Sequence, residues 1–194
     1  RLVTGDEELQ MSRSCLWVRR LGILFALGLA GVLTCVVNIS LGQSGTIWGG
    51  ELTRNTTFSP SGNPHIVIRE LVVPSGITLT IEPGVEVRFA PGVALRVYGR
   101  LLAEGTLTQT IRFTRRDPGT YWSRIVIVNS QADNRIGYAE LEYMEGFYAQ
   151  NSRVYLHHNS FHDLGQDALV SDGGQVIIQG NHIYNVSCSD ACEG

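Results

Sequence analysis

The chain has 194 residues, 43% of them hydrophobic, which is enough for one domain with a sizeable core. From residue 43 onward it carries 11 arginines, no lysine and 15 acidic residues, a formal charge of 11 − 15 = −4. This acidic balance argues against nucleic acid as a partner, because neutralising phosphates needs a basic surface. The missing lysine also excludes Schiff-base and lysine-base chemistry.

The first 42 residues differ in character from the rest. Residues 1–10 are polar and acidic and are interpreted as an upstream or disordered segment. After Met11, three arginines precede an uncharged apolar stretch at 21–37, and small residues follow up to Gly42. This layout predicts a signal peptide over 11–42, with an uncleaved membrane anchor as the alternative. Either interpretation places the remainder outside the cytoplasm, secreted, at the cell surface or in the periplasm, with membrane contact only through this segment.

Residues 43–65 are rich in Gly, Ser, Thr, Asn and Pro. A stacked solenoid exposes the strand edges of its first coil unless something covers them. We therefore interpret this stretch as an N-terminal cap, or entry segment.

Short runs that alternate apolar and polar residues follow, separated by turn signals such as Glu82-Pro-Gly84 and Asp172-Gly-Gly174. Period two indicates strands, and no stretch of ten residues after Gly42 has helical spacing, so the predicted helix is that of the signal peptide or anchor. The chain is predicted to be all-β. The runs are Ile77–Ile81, Val85–Phe89, Leu95–Val97, Ile111–Phe113, Ile125–Ile127, Leu141–Tyr143, Val154–Leu156 and Val176–Ile178.

An internal repeat separates a solenoid from a sandwich or a barrel. An apolar-x-x-Asn-x-apolar pattern is centred on Asn159 and again, 22 residues later, on Asn181. The same pattern occurs 20 residues earlier with Ala139 in the asparagine position. The repeat predicts a parallel β-helix over 66–194 with coils of about twenty to twenty-eight residues. The two asparagines are candidates for a structural ladder between coils, with ordinary turn asparagines as the alternative.

The segment GITLTIEPGVEVRFAPGVALRVYGRLLAEGTLTQTIRFT, followed by YWSRIVIVNSQ and the asparagine repeats, resembles the pectin-lyase-like right-handed β-helix proteins of bacterial surfaces and secretions. The resemblance implies a right-handed parallel β-helix made of repeats known from that superfamily. That superfamily contains polysaccharide lyases, hydrolases, epimerases, adhesins and proteins without catalysis, so the resemblance leaves activity open.

In the predicted register, equivalent outward positions of neighbouring coils lie side by side at the strand separation of about 4.8 Å. Two carboxylates with two histidines have the residue types for acid and base chemistry on a glycan. The catalytic candidates are Glu140, Glu142, His162 and His182, and the binding candidates are Arg112, Ser160 and Tyr184. A solvated face of alternating charges is the simpler alternative. Glu142, His162 and His182 could also hold a divalent metal. We nonetheless expect no cofactor. The aspartates in the turns are scattered, and they are weak evidence for a calcium-binding site.

Cys188 and Cys192 are the cysteines that would remain after loss of the signal peptide, and they are a candidate disulfide, with pairing to other thiols as the alternative. The chain is interpreted as a monomer truncated at its C-terminus. Two functions stay open: a carbohydrate or cell-surface interaction module, or a polysaccharide-processing enzyme.

Overall fold

The computed structural model describes residues 45–187. The predicted leader at 11–42 and the two C-terminal cysteines lie outside this range. Within it, no helix is long and apolar enough to cross a membrane. The one helical element of the described range is the 3-10 turn Pro60–Gly62. The strands are β1 (Thr46–Glu51), β2 (Thr56–Phe58), β3 (His65–Val73), β4 (Thr78–Ile81), β5 (Glu86–Phe89), β6 (Leu95–Val97), β7 (Arg100–Glu104), β8 (Ile111–Arg115), β9 (Trp122–Val128), β10 (Asn134–Gly137), β11 (Ala139–Glu142), β12 (Met144–His157), β13 (Ser160–Leu164), β14 (Leu169–Gln179) and β15 (His182–Val186).

Every pairing between these strands is parallel, and the strands stack into three faces. Face 1 contains the first halves of β1 and β3, then β5, β8, β11, β13 and β15. Face 2 contains the second halves of β1 and β3, then β6, β9 and the first halves of β12 and β14. Face 3 contains β2, β4, β7, β10 and the second halves of β12 and β14. The chain visits the faces in this order over about six turns, which confirms the predicted all-β parallel solenoid.

The core consists of the inward side chains of the three faces. On face 1, Val87, Phe113, Leu141 and Phe161 occupy equivalent positions of successive coils and are all buried. Because side chains alternate along a strand, the residues between them point outward. Each fully buried side chain of this size contributes about 1.5–3 kcal/mol. The same alternation that packs the core therefore aligns the outward rows.

The sharp bends between faces also repeat. Between faces 3 and 1, Tyr138 and His158 have φ of 47° and 53°, and Gly180 has φ of 61° at the next coil. This left-handed conformation is rare for a side-chain-bearing residue, and glycine adopts it readily. The other two bend columns are Asn129, Asn151 and Gly173 between faces 2 and 3, and Tyr143, Asp163 and Asn185 after face 1.

The two predicted ladder asparagines bridge successive coils at the bend before face 1. Asn159 accepts a hydrogen bond from the Ala139 N–H at 2.9 Å and donates one to the Ile136 carbonyl at 2.8 Å. One coil later, Asn181 accepts from the Asn159 N–H at 2.9 Å and donates to the Leu156 carbonyl at 2.8 Å. These bonds satisfy backbone groups that the bend removes from the strand ladder.

A buried polar network, which the sequence did not predict, lies at the bend between faces 2 and 3. Asn134 is fully buried, accepts from the Leu101 N–H at 2.8 Å and donates to Ser130 Oγ at 2.8 Å and the Arg153 carbonyl at 3.0 Å. Its equivalent in the next coil is Val154. The asparagine therefore does not recur, and a search for repeats cannot detect it.

The predicted cap segment 43–65 contains β1 and β2, which pair with β3 and β4 as a first coil. Its aromatic residues stack on the first histidine of face 1: the rings of Phe58 and His65 lie 4.3 Å apart, and Trp48 and Phe58 lie 4.5 Å apart. The predicted boundary at residue 65 falls at the start of β3.

Candidate functional site

The outward positions of face 1 form two rows, in the register inferred from the repeat. Because paired residues of adjacent strands lie beside each other, each row is a line of spatial neighbours. The first row is Glu86, Arg112, Glu140, Ser160 and His182, and the second contains Glu142, His162 and Tyr184.

Arg112 is the common cation of three carboxylates. Its Nε lies 3.4 Å from Glu140 Oε2, its Nη1 lies 3.6 Å from Glu86 Oε1, and its Nη2 is in contact with Glu142 Oε1. Glu86 also forms a two-point ion pair with Arg88, at 3.1 Å for both contacts. Glu140 and Glu142 thus have Arg112 as their common arginine partner.

His162 faces a carboxylate with each ring nitrogen. Nδ1 lies 2.8 Å from Asp163 Oδ2, and Nε2 lies 3.0 Å from Glu140 Oε1 and 3.8 Å from Glu142 Oε2. Hydrogen bonds to two carboxylates require a proton on both nitrogens, which is the imidazolium form. Burial of the ring lowers the pKa of His162, but the hydrogen bonds to Asp163 and Glu140, with the charges of Glu140 and Glu142, raise it above its ordinary value overall.

Two of these outward side chains are buried. The Glu142 side chain is 4% exposed and that of His162 is 9% exposed. The Tyr184 ring stacks on the His162 ring with centroids 4.9 Å apart. Within residues 45–187, the described contacts of the Glu142 carboxylate are the ion pair of Oε1 with Arg112 and that of Oε2 with His162. Glu142 and His162 are therefore buried, whereas Glu86, Arg112 and Glu140 of the first row alternate in charge and are partly exposed.

The structure does not bring His182 to the carboxylates. It lies two strands beyond Glu140 in the first row, roughly 10 Å along the axis, with Ser160 between them. Its ring contacts Tyr184 at 4.8 Å, and no ion pair or hydrogen bond to it occurs within the described part of the chain. The predicted catalytic set thus divides into a close cluster of Glu140, Glu142 and His162, called the Glu–His cluster below, and a separate His182.

An open depression of about 290 Å³ borders the Glu–His cluster, and we call it the basic depression. The Arg115 guanidinium lies over the Tyr143 ring, 3.6 Å from its centroid, and contacts the Thr120 carbonyl at 3.5 Å. Arg116 is paired with Asp117 at 2.7 Å. The lining residues are Glu86, Arg88, Arg112, Thr114, Arg115, Arg116, Pro118 and Tyr143, a formal charge of 4 − 1 = +3.

Most residues that line the basic depression were not predicted from the sequence. Glu86 and Arg88 are outward residues of β5, and Glu86 lies 26 residues before Arg112, its neighbour in the first row. The alternating pattern combined with a longer coil spacing would have found them. Arg115 lies at the end of β8 and Tyr143 at a bend, where period two no longer tells which side chains meet.

Two other surface features resemble parts of the site and serve as controls. A depression of about 430 Å³ on face 3 is lined by residues that include Arg135, Arg153 and Tyr155. Near the bend before face 1, His157 Nε2 lies 2.8 Å from Glu104 Oε2, a Glu–His pair without a second carboxylate.

Comparison with known proteins finds a short local similarity. No family model matches the chain, and no solved structure matches it. The chain is similar to "Protein bark beetle" of Drosophila melanogaster, 40% identical over 63 residues, which is 32% of this chain. The match spans 2% of that protein's length.

Proposed function

We propose that the domain is a carbohydrate-interaction module whose face 1 binds acidic glycans. Its fold is a right-handed β-helix of the pectin-lyase-like type. The protein is exported and is secreted, or lies at the cell surface or in the periplasm. Export is supported by the leader pattern at 11–42. Right-handedness is supported by the strong chiral preference of parallel β crossovers. We propose that it acts as a monomer.

The observation that carries the proposal is a basic depression on the surface of an acidic chain. The lining contains four arginines and one glutamate, in a chain with a formal charge of −3. Carboxylates next to the lining pair with Arg112 and Arg116. Guanidinium groups match carboxylate and sulfate groups with two parallel hydrogen bonds. Acidic substituents on a sugar are therefore the chemistry that this depression would select.

Arg115 is the arginine best suited to bind an external anion. Arg88, Arg112 and Arg116 each have an intramolecular carboxylate within ion-pair distance. The described contacts of Arg115 are a tyrosine ring and a carbonyl oxygen, so its charge is not neutralised by a directly bonded carboxylate. The open shape suits a chain-like ligand that lies along the solenoid.

Glycan retention by the purified chain tests this proposal. We expect acidic glycans to be retained in preference to neutral ones, and Arg115→Ala to weaken retention by about 10–100-fold, because a charged hydrogen bond contributes about 1.5–3 kcal/mol. Arg153→Ala, in the depression on face 3, is the matched control and should leave retention unchanged. Equal retention by wild type and Arg115→Ala, or retention of no glycan, would overturn the proposal.

A second candidate function is polysaccharide processing, favoured by the close approach of Glu140, Glu142 and His162 next to this depression. Two carboxylates and a histidine can serve as acid and base at a glycosidic bond or beside a uronate. An enzyme would release new reducing ends or unsaturated uronates from a glycan panel, and Glu140→Gln would abolish the release. Retention without turnover would leave the interaction module.

A further inference from the structure

We propose that the Glu–His cluster is a binding site for a divalent first-row transition metal such as Zn²⁺, with Glu140 Oε1, Glu142 Oε2 and His162 Nε2 as ligands. The proposal concerns the metal alone and does not rest on glycan binding. It reverses the expectation from sequence that the protein has no metal site.

The ligand groups of the three residues lie close together. His162 Nε2 lies 3.0 Å from Glu140 Oε1 and 3.8 Å from Glu142 Oε2, and ligand atoms of all three residues lie within 4.8 Å of one another. Zinc bonds to nitrogen and oxygen of about 2.1 Å separate tetrahedral ligands by about 3.4 Å. The two distances from the histidine bracket this value.

Arg112 does not occupy the proposed position. It contacts the opposite oxygens, Glu140 Oε2 and Glu142 Oε1, and Asp163 holds the opposite nitrogen of His162. Each ligand is thus oriented from behind by a charged partner. A carboxylate on the far nitrogen of a histidine is the usual partner of a metal-bound imidazole, because it orients the ring and strengthens its donor nitrogen.

The buried carboxylate of Glu142 is the independent indication of a missing cation. Its side chain is 4% exposed, its Oε1 is in contact with Arg112, and the described contact of its Oε2 is His162 Nε2 at 3.8 Å, beyond hydrogen-bond distance. A carboxylate removed from water loses several kcal/mol of solvation unless charges and hydrogen bonds replace it. The three carboxylates of Glu140, Glu142 and Asp163 exceed the charges of Arg112 and protonated His162 by one, since −3 + 2 = −1. A divalent cation that displaces the Nε2 proton of His162 adds one net positive charge and would make this group of side chains neutral.

The donor set selects the class of metal. Imidazole nitrogen with two carboxylates suits borderline ions such as Zn²⁺, whereas Ca²⁺ takes six to eight oxygen ligands. Three protein ligands leave one tetrahedral position for water or for a group of a bound molecule.

Calorimetric titration of the full chain with Zn²⁺, after removal of metal with EDTA, tests the proposal. We expect one site that Glu140→Gln and His162→Gln each weaken at least about tenfold, and that Asp163→Asn weakens by about 10–100-fold through loss of the orienting partner. Co²⁺ should give visible absorption bands of a low-coordinate ion in the wild type and lose them in His162→Gln. Ca²⁺ at the same concentration should not compete.

The matched controls are Glu104→Gln and His157→Gln, which remove a Glu–His pair that lacks a second carboxylate and should leave Zn²⁺ affinity unchanged. Circular dichroism checks the fold of each variant. The glutamate variant of the test is at Glu140, whose side chain is 39% exposed, because a substitution of the buried Glu142 could disturb folding. The proposal is overturned if wild type takes up no stoichiometric Zn²⁺, if Glu140→Gln and His162→Gln leave uptake unchanged, or if the control variants reduce it equally.

Discussion

Two histidines of face 1 lie in similar stacks but in opposite chemical environments. His65, at the start of the solenoid, points inward, and its ring packs 4.3 Å from Phe58 at an angle of 8°. His162 points outward, and its ring packs 4.9 Å from Tyr184 at an angle of 14°. The partners of the ring nitrogens differ completely. His65 meets an indole N–H and a carbonyl, whereas His162 meets carboxylates.

The protonation states follow from these partners. His65 Nδ1 accepts the Trp48 N–H at 2.9 Å, so Nε2 carries the proton that it donates to the Ser59 carbonyl at 2.9 Å, and the ring is neutral. Burial lowers the pKa of His65 more than the Ser59 hydrogen bond raises it. The histidine ring on the inward side of face 1 is therefore neutral, and the ring on the outward side is charged.

Removing the stacked ring in each region should give the largest difference. Phe58 is 0% exposed, and we expect Phe58→Ala to lower the free energy of unfolding by about 3–5 kcal/mol through lost burial and a cavity. Tyr184 is 39% exposed, and Tyr184→Ala should cost about 0.5–1.5 kcal/mol, the value of an aromatic pair. Urea unfolding followed by circular dichroism measures both. Equal losses would contradict the distinction between packing and surface roles.

Removing the shared cation should give a smaller effect, confined to the outward region. Arg112→Met leaves Glu140 and the buried Glu142 with one positive partner fewer, and we expect a loss of about 1–3 kcal/mol in the metal-free protein. This lies below the 3–5 kcal/mol for a fully buried pair, because Arg112 is 46% exposed. Arg96→Met, which breaks the exposed pair with Glu70 at 2.9 Å, should cost less than about 1 kcal/mol. A loss for Arg112→Met no greater than for the control would show that Glu142 does not depend on it.

The two histidines also show which features of the fold and of the site could be predicted from the sequence. The repeat around Asn159 and Asn181 was sufficient for the parallel solenoid and for the pairing of Glu142 with His162, because each coil must match the next to complete its hydrogen bonds. Equivalent positions in the repeat are neighbours in space. Every conclusion that required only register could be predicted.

Burial and charge partners could not be read from register. Glu142 is buried because Arg112 reaches it from a coil 30 residues away and His162 lies against it, and Arg112 is one outward residue among many in the sequence. Asp163 contacts His162 across a bend with φ of 52°, where alternation along the strand ends. The close grouping of Glu140, Glu142 and His162 depends on these side-chain contacts. The separation of His182 from Glu140 follows from register, because Ser160 lies between them in the first row.

The smallest expected effect is the pH dependence, which should have opposite signs in the two regions. The folded pKa of His65 is lowered below its unfolded value of about 6.5, so its contribution to stability is complete above pH 6.5 and is lost as the pH falls toward the folded pKa. The folded pKa of His162 is raised, so in EDTA-treated protein its contribution is complete below pH 6.5 and is lost as the pH rises through the folded pKa.

NMR titration of the ring protons should place the two pKa values on opposite sides of the ordinary value. His65→Gln, whose amide can replace both hydrogen bonds, should remove the loss of stability in acid, and His162→Gln should remove the loss at higher pH. Ring pKa values shifted in the same direction would show that inward and outward placement on this face does not control protonation.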